Sequence, residues 1–399
     1  MKKVLLLLAI FCAGRIYAQD TAAVKKETHK KWFETLNIRG YVQARYNRLL
    51  ETNGQLRNEQ GDKSWGENGG FFLRRIRIIF SGQISKQVYF YVQPDFASSA
   101  SSTSLHFAQI RDAYFDLGID KKNEFRFRIG QSKIPFGFEN MQSSQNRLPL
   151  DRADATNSAF ANERDLGVFF YWAPEEKRKL FKRLVDEGLK GSGDYGIFGF
   201  GIFNGQTANK PELNNNQHVV ARLTYPFQFG NQIIEPSLQT YTGKYVVAED
   251  QIKAGAKFIQ GRNYTDERIA ATFVLYPKPF GIQAEYNVGN GPEFNTATDS
   301  IEIRRLQGAY ATFSYLTKIK SQLLIPFTRL HYYDGGKKHE QDTRSYRVKE
   351  LELGIEWQPV KQFELVAQYT ISSRKFEDFS HQDNLQKGNL LRLQAQINF

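Results

Sequence analysis

The sequence predicts an all-β chain: a transmembrane antiparallel β-barrel of about sixteen strands, with long extracellular loops, short periplasmic turns and an inward-folded third loop. Three observations predict it. Apolar and polar residues alternate with a period of two along most of the chain. The connections between these stretches alternate long and short. The chain ends on Phe399 with Leu393, Ala395 and Ile397 in register before it, the pattern of a terminal strand that outer-membrane assembly machinery recognises. Composition agrees. Among 399 residues, the 32 Phe and 20 Tyr argue against disorder. The absence of long apolar runs excludes a multi-helix membrane protein.

Met1–Ala18 reads as a signal peptide. Lys2 and Lys3 form its positive start, and Val4 to Ala13 is an apolar run of ten residues, too short to span a bilayer. Ala18 offers a cleavage position before Gln19, and the only cysteine, Cys12, lies inside the segment. Its removal takes Lys2, Lys3 and Arg15 and no acid, so the formal charge falls from +12 to +9. An exported chain of this kind has no disulfides and is a poor partner for nucleic acid, basic as it is. Residues 19–35 read as a short periplasmic extension. The rest, 36–399, shows no composition break and reads as one outer-membrane domain.

Strands are expected at 36–48, 70–83, 87–95, 105–117, 124–131, 165–173, 194–203, 217–226, 232–245, 266–276, 281–289, 301–316, 321–334, 346–358, 362–373 and 389–399. In the first, Ile38, Val42 and Tyr46 alternate with Arg39, Tyr41 and Arg45. In the second, Phe72, Ile76, Ile78 and Phe80 alternate with Arg75 and Arg77. Val88, Phe90 and Val92 follow, then Phe125, Phe127 and Ile129, and near the end Leu351, Leu353, Ile355 and Trp357. The long connections are 49–69, 96–104, 132–164, 204–216, 246–265, 290–300, 335–345 and 374–388. The short ones are 84–86, 118–123, 227–231, 277–280, 317–320 and 359–361. Only 174–193 breaks the rule, because it holds a helical stretch, Pro174–Leu189, with Leu180, Phe181, Leu184 and Val185 on one stripe. It is read as a helix capping the periplasmic rim, with a membrane-surface segment as the alternative.

A soluble sandwich would explain the alternation but gives no cause for the loop lengths. In lipid the sheet must close on itself, so apolar alternates are expected to face outward. Tyr46, Phe72, Trp172, Tyr225, Tyr276 and Trp357 near strand ends suit interfacial girdles. A barrel of this size is expected to leave a water-filled lumen, where polar alternates can remain charged.

No catalytic constellation emerges, and no cofactor or metal is expected. His29, His106, His218, His331, His339 and His381 show no metal-ligand spacing, and there is no nucleophile elbow or P-loop. Asp112 and Asp116 share a strand face and read as a solvated wall pair. Permeation remains. Inward basic positions recur at Arg39, Arg45, Arg75, Arg77, Arg126, Arg128, Arg222, Arg329 and Arg392. The first, second and last strands become neighbours on closure, so Arg39, Arg45, Arg75, Arg77 and Arg392 are expected to form one basic arc. Arginine suits phosphate because its planar fork binds oxyanions bidentately, and rings of Arg or Lys select anions in pores. A generic porin wall, with base and acid opposed, is the plainer alternative.

Loop 132–164 is the longest, at 33 residues, and is the candidate to fold inward and narrow the lumen, with an extracellular loop lying over the rim as the alternative. Lys133, Arg147, Arg152 and Arg164 make it basic, with Glu139, Asp151, Asp154 and Glu163 as partial counterweight. Glu285, Glu350, Glu352, Glu356 and Glu364 occupy polar faces elsewhere and are expected to form an acidic arc opposite the basic one.

Several motifs resemble the phosphate-selective porins O and P, in particular their Bacteroidetes-type branch: GQSKIPFGFEN (Gly130–Asn140), ERDLGV (Glu163–Val168), FNG (Phe203–Gly205), YYDGGKK (Tyr332–Lys338), RVKELELGIEWQP (Arg347–Pro359) and LLRLQAQINF (Leu390–Phe399). The resemblance spans essentially the whole exported chain. It implies a sixteen-stranded porin of the Gram-negative outer membrane, usually a homotrimer, with a basic channel for phosphate or polyphosphate. The expected function is passive diffusion of small anions, through a protein whose partners are outer-membrane lipid and, by Phe399, the assembly machinery. A weakly selective general porin is the first alternative. A secreted soluble β-protein binding an anionic glycan is the second.

Overall fold

The computed structural model describes residues 31–52, 70–97 and 106–399. The signal peptide and most of the 19–35 extension lie outside the described residues. Eighteen hydrogen-bonded segments form a single sheet, and two of them continue a preceding strand past a break, so the barrel has sixteen strands. These are β1 (Asn37–Thr52), β2 (Gly70–Gln83), β3 (Val88–Asp95), β4 (Gln109–Gly118), β5 (Phe125–Lys133), β6 (Arg164–Trp172), β7 (Phe198–Phe203) and β8 (His218–Thr224, resuming at Phe227–Phe229). The second half comprises β9 (Gln232–Val246), β10 (Asn263–Leu275), β11 (Phe280–Asn295), β12 (Ser300–Tyr315, resuming at Thr317–Ile319), β13 (Gln322–Gly336), β14 (Ser345–Val360), β15 (Phe363–Asp378) and β16 (His381–Asn398).

Each strand pairs antiparallel with its sequence neighbours, and β1 pairs with both β2 and β16. The sheet therefore has no free edge, as a hydrocarbon environment requires. Closure continues to the last residue, where Gly40 and Phe399 exchange backbone hydrogen bonds of 2.7 and 3.0 Å.

The exterior is an apolar belt. Ile38, Phe115, Phe127, Phe200, Phe273, Leu330, Ile355 and Leu393 are exposed, while Arg45, Arg222, Arg329 and Arg392 are almost fully buried. This inverts the pattern of a soluble protein. Trp172 and Trp357 lie on the outer face near strand ends, as expected of a girdle. Two aromatic positions depart from expectation. A bulge at Arg74 shifts the β1–β2 register, so Gln43 faces Arg75 while Ala44 faces Leu73. The extra residue reverses the alternation, and Phe71, not Phe72, is the fully outward ring. Tyr276 turns inward, where its hydroxyl donates to Glu235 at 2.5 Å.

Two expected loops are hairpins instead. Residues 290–300 and 374–388 are mostly strand, because β11–β12 and β15–β16 run on to turns at 296–299 and 379–380. A tilted strand needs only about ten residues to cross the membrane, so the extra length projects beyond the lipid. There both faces meet water, and the apolar alternation that marks a strand in sequence is lost.

The lumen is not simply water-filled. The loop between β5 and β6 (134–163) folds inside, carrying short helices α1 (Phe138–Met141) and α2 (Asp154–Asn157). Its Ile134, Phe136, Met141 and Phe160 pack on Phe169, Phe203, Val220 and Tyr241 of β6–β9. Its Leu148 and Leu150 pack on Ile325, Phe327 and Val366 of β13 and β15. The helical stretch is α3 (Glu175–Asp186), and it lies in the lumen mouth, not on the membrane surface. Its Leu180, Phe181 and Leu184 pack against Ile233, Val274 and Tyr276 of the wall and against Phe138 of the inward loop. The helix and loop thus brace one another. Phe181→Asp places a charge where the ring is 2% exposed. It is expected to cost about 3–5 kcal/mol and to free the helix, seen as faster cleavage after Lys179, Lys182 or Arg183 by protease added on the periplasmic side.

Candidate functional site

All nine sequence-predicted wall arginines point into the lumen. Arg39 alone is exposed there, and the others are buried. The loop carboxylates organise most of them. Asp151 accepts from Arg45 at 3.2 Å and from Arg392 at 2.5 Å, with Arg74 at 3.5 Å. Arg392 also reaches Glu352, which pairs with Arg329 at 2.6 Å, and Arg329 pairs with Glu139 of the loop at 2.9 Å. Of the five arginines of the expected arc, Arg45 and Arg392 are thus tied to the inward loop through one aspartate.

Glu163 is a second hub. It stands within 4 Å of Lys133, Arg147, Arg152 and Arg164. All four constriction-loop candidates thus meet at one carboxylate, although Lys133 and Arg164 belong to the ends of β5 and β6. Arg164 also forks onto Asp112 at 3.0 Å, and Arg77 and Arg111 share Asp95 at 2.9 and 3.3 Å. Asp151, Glu163, Asp95 and Asp112 thus share nine cations. Arg75 is a further cation with no carboxylate partner among the described residues; its Nη1 donates to Gln43 at 2.8 Å. Arg74, Arg77 and Arg147 surround it. The buried Nε atoms of Arg75 and Arg147 find no acceptor among the described residues.

The acidic positions lie differently from expectation. They do not face the basic arc across the lumen, because β14 and β15 adjoin β16 directly. Nor are most of them free to set up a field. Glu352 is held by two arginines, Glu350 by Arg374 at 2.9 Å, and Glu356 by Lys190 at 2.6 Å. Glu364 stands beside Glu356 on the neighbouring strand. Glu285 accepts from the Phe138 backbone at 2.7 Å and from Thr156 at 3.1 Å, so it docks the loop. Asp112 and Asp116 are wall residues as expected, but each is spoken for: Asp116 takes both arms of Arg128 at 2.7 and 2.9 Å. Arg126 pairs with Asp194, and Arg222 with Glu235.

Sequence reading missed several partners. Arg74 is hidden by its bulge, although an Arg-Arg doublet in an alternating strand signals one. Lys337 and Lys338 reach inward from the β13–β14 loop to Asp154 and Asp266. Asp154, His331 and Glu350 come within 4.8 Å of one another. Arg374 and Lys337 already occupy those carboxylates, so the donor set fits an ion-pair network better than a metal.

The electrostatics of the loop follow from these contacts. Burial pushes the Asp151 carboxyl up, but Arg45 and Arg392, then Arg74 and Arg75, outweigh it and hold it well below the usual carboxylate range. Burial opposes ionisation of Glu163 in the same way, and Arg147, Lys133, Arg152 and Arg164 win. A depressed pKa contributes docking free energy above the usual carboxylate range, which is lost as pH falls through the lowered value. Loop docking should therefore survive mild acid and fail only below the usual carboxylate range. Conductance recorded during acid titration checks this, and the expected sign is a rise on acidification.

Space remains on both sides of α3. A cavity of about 690 Å³ runs from the turns beside α3 up to Lys133, Ser143 and Arg164, past Arg39, Arg126 and Arg128. A second, of about 880 Å³, lies on the other side of the helix. Together with the closed barrel and the inward loop, this defines a membrane channel with a narrowed, cation-rich passage.

The chain belongs to the family of phosphate-selective porins O and P, whose model matches residues 42–399. No curated protein matches. Among solved structures, the outer membrane channel DcaP of Acinetobacter baumannii shares 14% identity at TM-score 0.57, over 93% of this chain and 99% of that one. The anion-selective porin from Comamonas acidovorans shares 10% identity at TM-score 0.54, over 92% and 99%. OmpF of Salmonella typhi shares 14% at TM-score 0.55, over 91% and 97%. At these identities the likeness is one of fold. The protein is an outer-membrane porin, and its family and fold are those of a channel.

Proposed function

We propose that this porin passes small anions in preference to cations, with phosphate as the substrate class. The observation that carries this reading is the charge balance beside the open passage. Four carboxylates of the inward loop and of β3–β4 share nine cations, one of which, Arg392, also reaches Glu352, and Arg75 adds a further cation that forms no ion pair among the described residues. On the far side, most acids are paired and packed beneath the loop. An anion entering along β1–β6 meets a cavity lined by nine Lys and Arg, Arg39, Arg126, Arg128, Lys133 and Arg164 among them, against five Asp and Glu. The family description agrees. Signal-peptide removal after Ala18, delivery by the assembly machinery through Phe399 and a homotrimer in the outer membrane belong to the same reading.

Chloride current in planar bilayers tests the substrate class. Phosphate at a concentration well below that of chloride should reduce the current, because a dianion binds the arginine cluster more strongly than a monoanion. Chloride current indifferent to phosphate would leave an anion porin without phosphate preference.

A further inference from the structure

The 690 Å³ cavity carries more than charge. Tyr89, Tyr91 and Tyr114 project into it from β3 and β4, all half-buried. Tyr91 and Tyr114 stack with ring centroids 5.1 Å apart and planes within 13°. Arg128 lies over the other face of Tyr114 at 4.1 Å, fixed by its fork onto Asp116. The column is thus held rigid from one end, and its Tyr91 end meets the cavity. The hydroxyls of these tyrosines take no hydrogen-bond partner among the described residues.

Two further groups face the same space. Arg39 lines the cavity and forms no ion pair among the described residues. Gln145 and Asn146 of the inward loop also line it, and their side-chain amides are unengaged among the described residues. Flat aromatic faces, open amides and one free guanidinium are three different recognition chemistries in one place. Ring faces suit the apolar C–H face of a sugar, amides suit its hydroxyls, and the guanidinium suits an acidic substituent. A cavity of this size holds a small ligand with water. The 880 Å³ cavity beyond α3 shares Arg39, Gln145 and Asn146, but Leu189, Pro277, Leu316 and Leu323 line it and no tyrosine does, so the ring faces belong to the first cavity alone.

From this we propose that the vestibule beside α3 is a holding site for a sugar bearing an acidic group, such as a hexose phosphate. The proposal rests on the anion-channel reading and adds the organic part of the solute. Inorganic phosphate engages only the cationic elements, whereas a sugar phosphate also engages Tyr91 and the amides.

Single-channel recordings with glucose phosphate and with inorganic phosphate, each added on the periplasmic side, test it. Glucose phosphate should interrupt the current at about tenfold lower concentration, since each 1.4 kcal/mol of added contact is worth about that factor. In Tyr91→Ala the ratio of the two half-blocking concentrations should fall to about threefold or less, the share left to the amides. Tyr286→Ala, on the outer surface, should keep the ratio of the unaltered protein. Equal block by the two solutes, or a Tyr91→Ala ratio like that of the unaltered protein, would overturn the proposal while leaving an anion porin intact. Block by benzoate as strong as that by glucose phosphate would overturn the sugar assignment in favour of an aromatic acid. A protein that conducts no anions would overturn the channel reading and this proposal together.

Discussion

Replacing Asp151 with asparagine should loosen the inward loop from the β16–β1–β2 wall and raise single-channel conductance. Asp151 is buried and engages Arg45, Arg74 and Arg392, one from each of three adjacent strands. Asparagine keeps the shape and removes the charge, so three guanidinium groups lose their shared counterion. Breaking one partner of a buried pair costs about 3–5 kcal/mol, mostly from the charge left uncompensated. The tethers that remain on this side carry no carboxylate: Arg45 to the Leu150 carbonyl at 3.0 Å, Arg329 to the Asp151 carbonyl at 2.9 Å, Tyr41 to Ser144 at 2.6 Å and the Leu150 backbone to Gln368 at 2.9 Å among them. On the far wall, Glu285, Gln239 and His331 hold residues 137, 138 and 154 independently. The expected change is therefore local. The segment around 143–152 should loosen while the rest of the loop stays docked. A conductance increase together with new protease sensitivity near Arg147 or Arg152, in a barrel that still shows heat-modifiable migration, is the expected result. Unchanged conductance would mean that the apolar contacts of Leu148 and Leu150 suffice.

Arg75→Glu should have the largest effect on selectivity. Unlike its neighbours, Arg75 has no carboxylate partner among the described residues, so the substitution breaks no ion pair of its own. It changes the local charge by two units among Arg74, Arg77 and Arg147. For charges about 4 Å apart at an effective dielectric of about 20, each unit is worth roughly 4 kcal/mol before dehydration. Even a small surviving fraction exceeds the 1.4 kcal/mol that makes a tenfold change in permeability. Anion preference should fall sharply or reverse. Arg222→Gln, at a site paired with Glu235 behind the packed loop, should leave selectivity near that of the unaltered protein.

How much of this is legible in the sequence depends on whether one strand suffices to see it. Period-two alternation is local, so β1, β5, β14 and the end of β16 read directly. The inward direction of Arg45, Arg128 and Arg392 follows from the same parity. Failures arise where one residue breaks the period, as Arg74 does in β2, or where a strand leaves the lipid, as in β11 and β15. The site is less legible because its logic is pairwise and long-range. Asp151 and Arg392 meet across 241 positions, and Lys337 and Asp154 across 183. Counting charges sees an arc of base and an arc of acid. It does not see that the loop's own carboxylates sit between them, or that the acids adjoin the bases. The packed half of the lumen escapes for a related reason: inward apolar residues such as Phe169 and Phe203 have no visible partner until Phe160 arrives from the loop.

The central claim is that cation excess along β1–β6 makes this channel prefer anions. Reversal potential across a potassium chloride gradient measures that preference directly, without assuming a natural solute. The expected potential has the sign set by chloride and is diminished or inverted in Arg75→Glu. A potential of the sign set by potassium in the unaltered protein would contradict it.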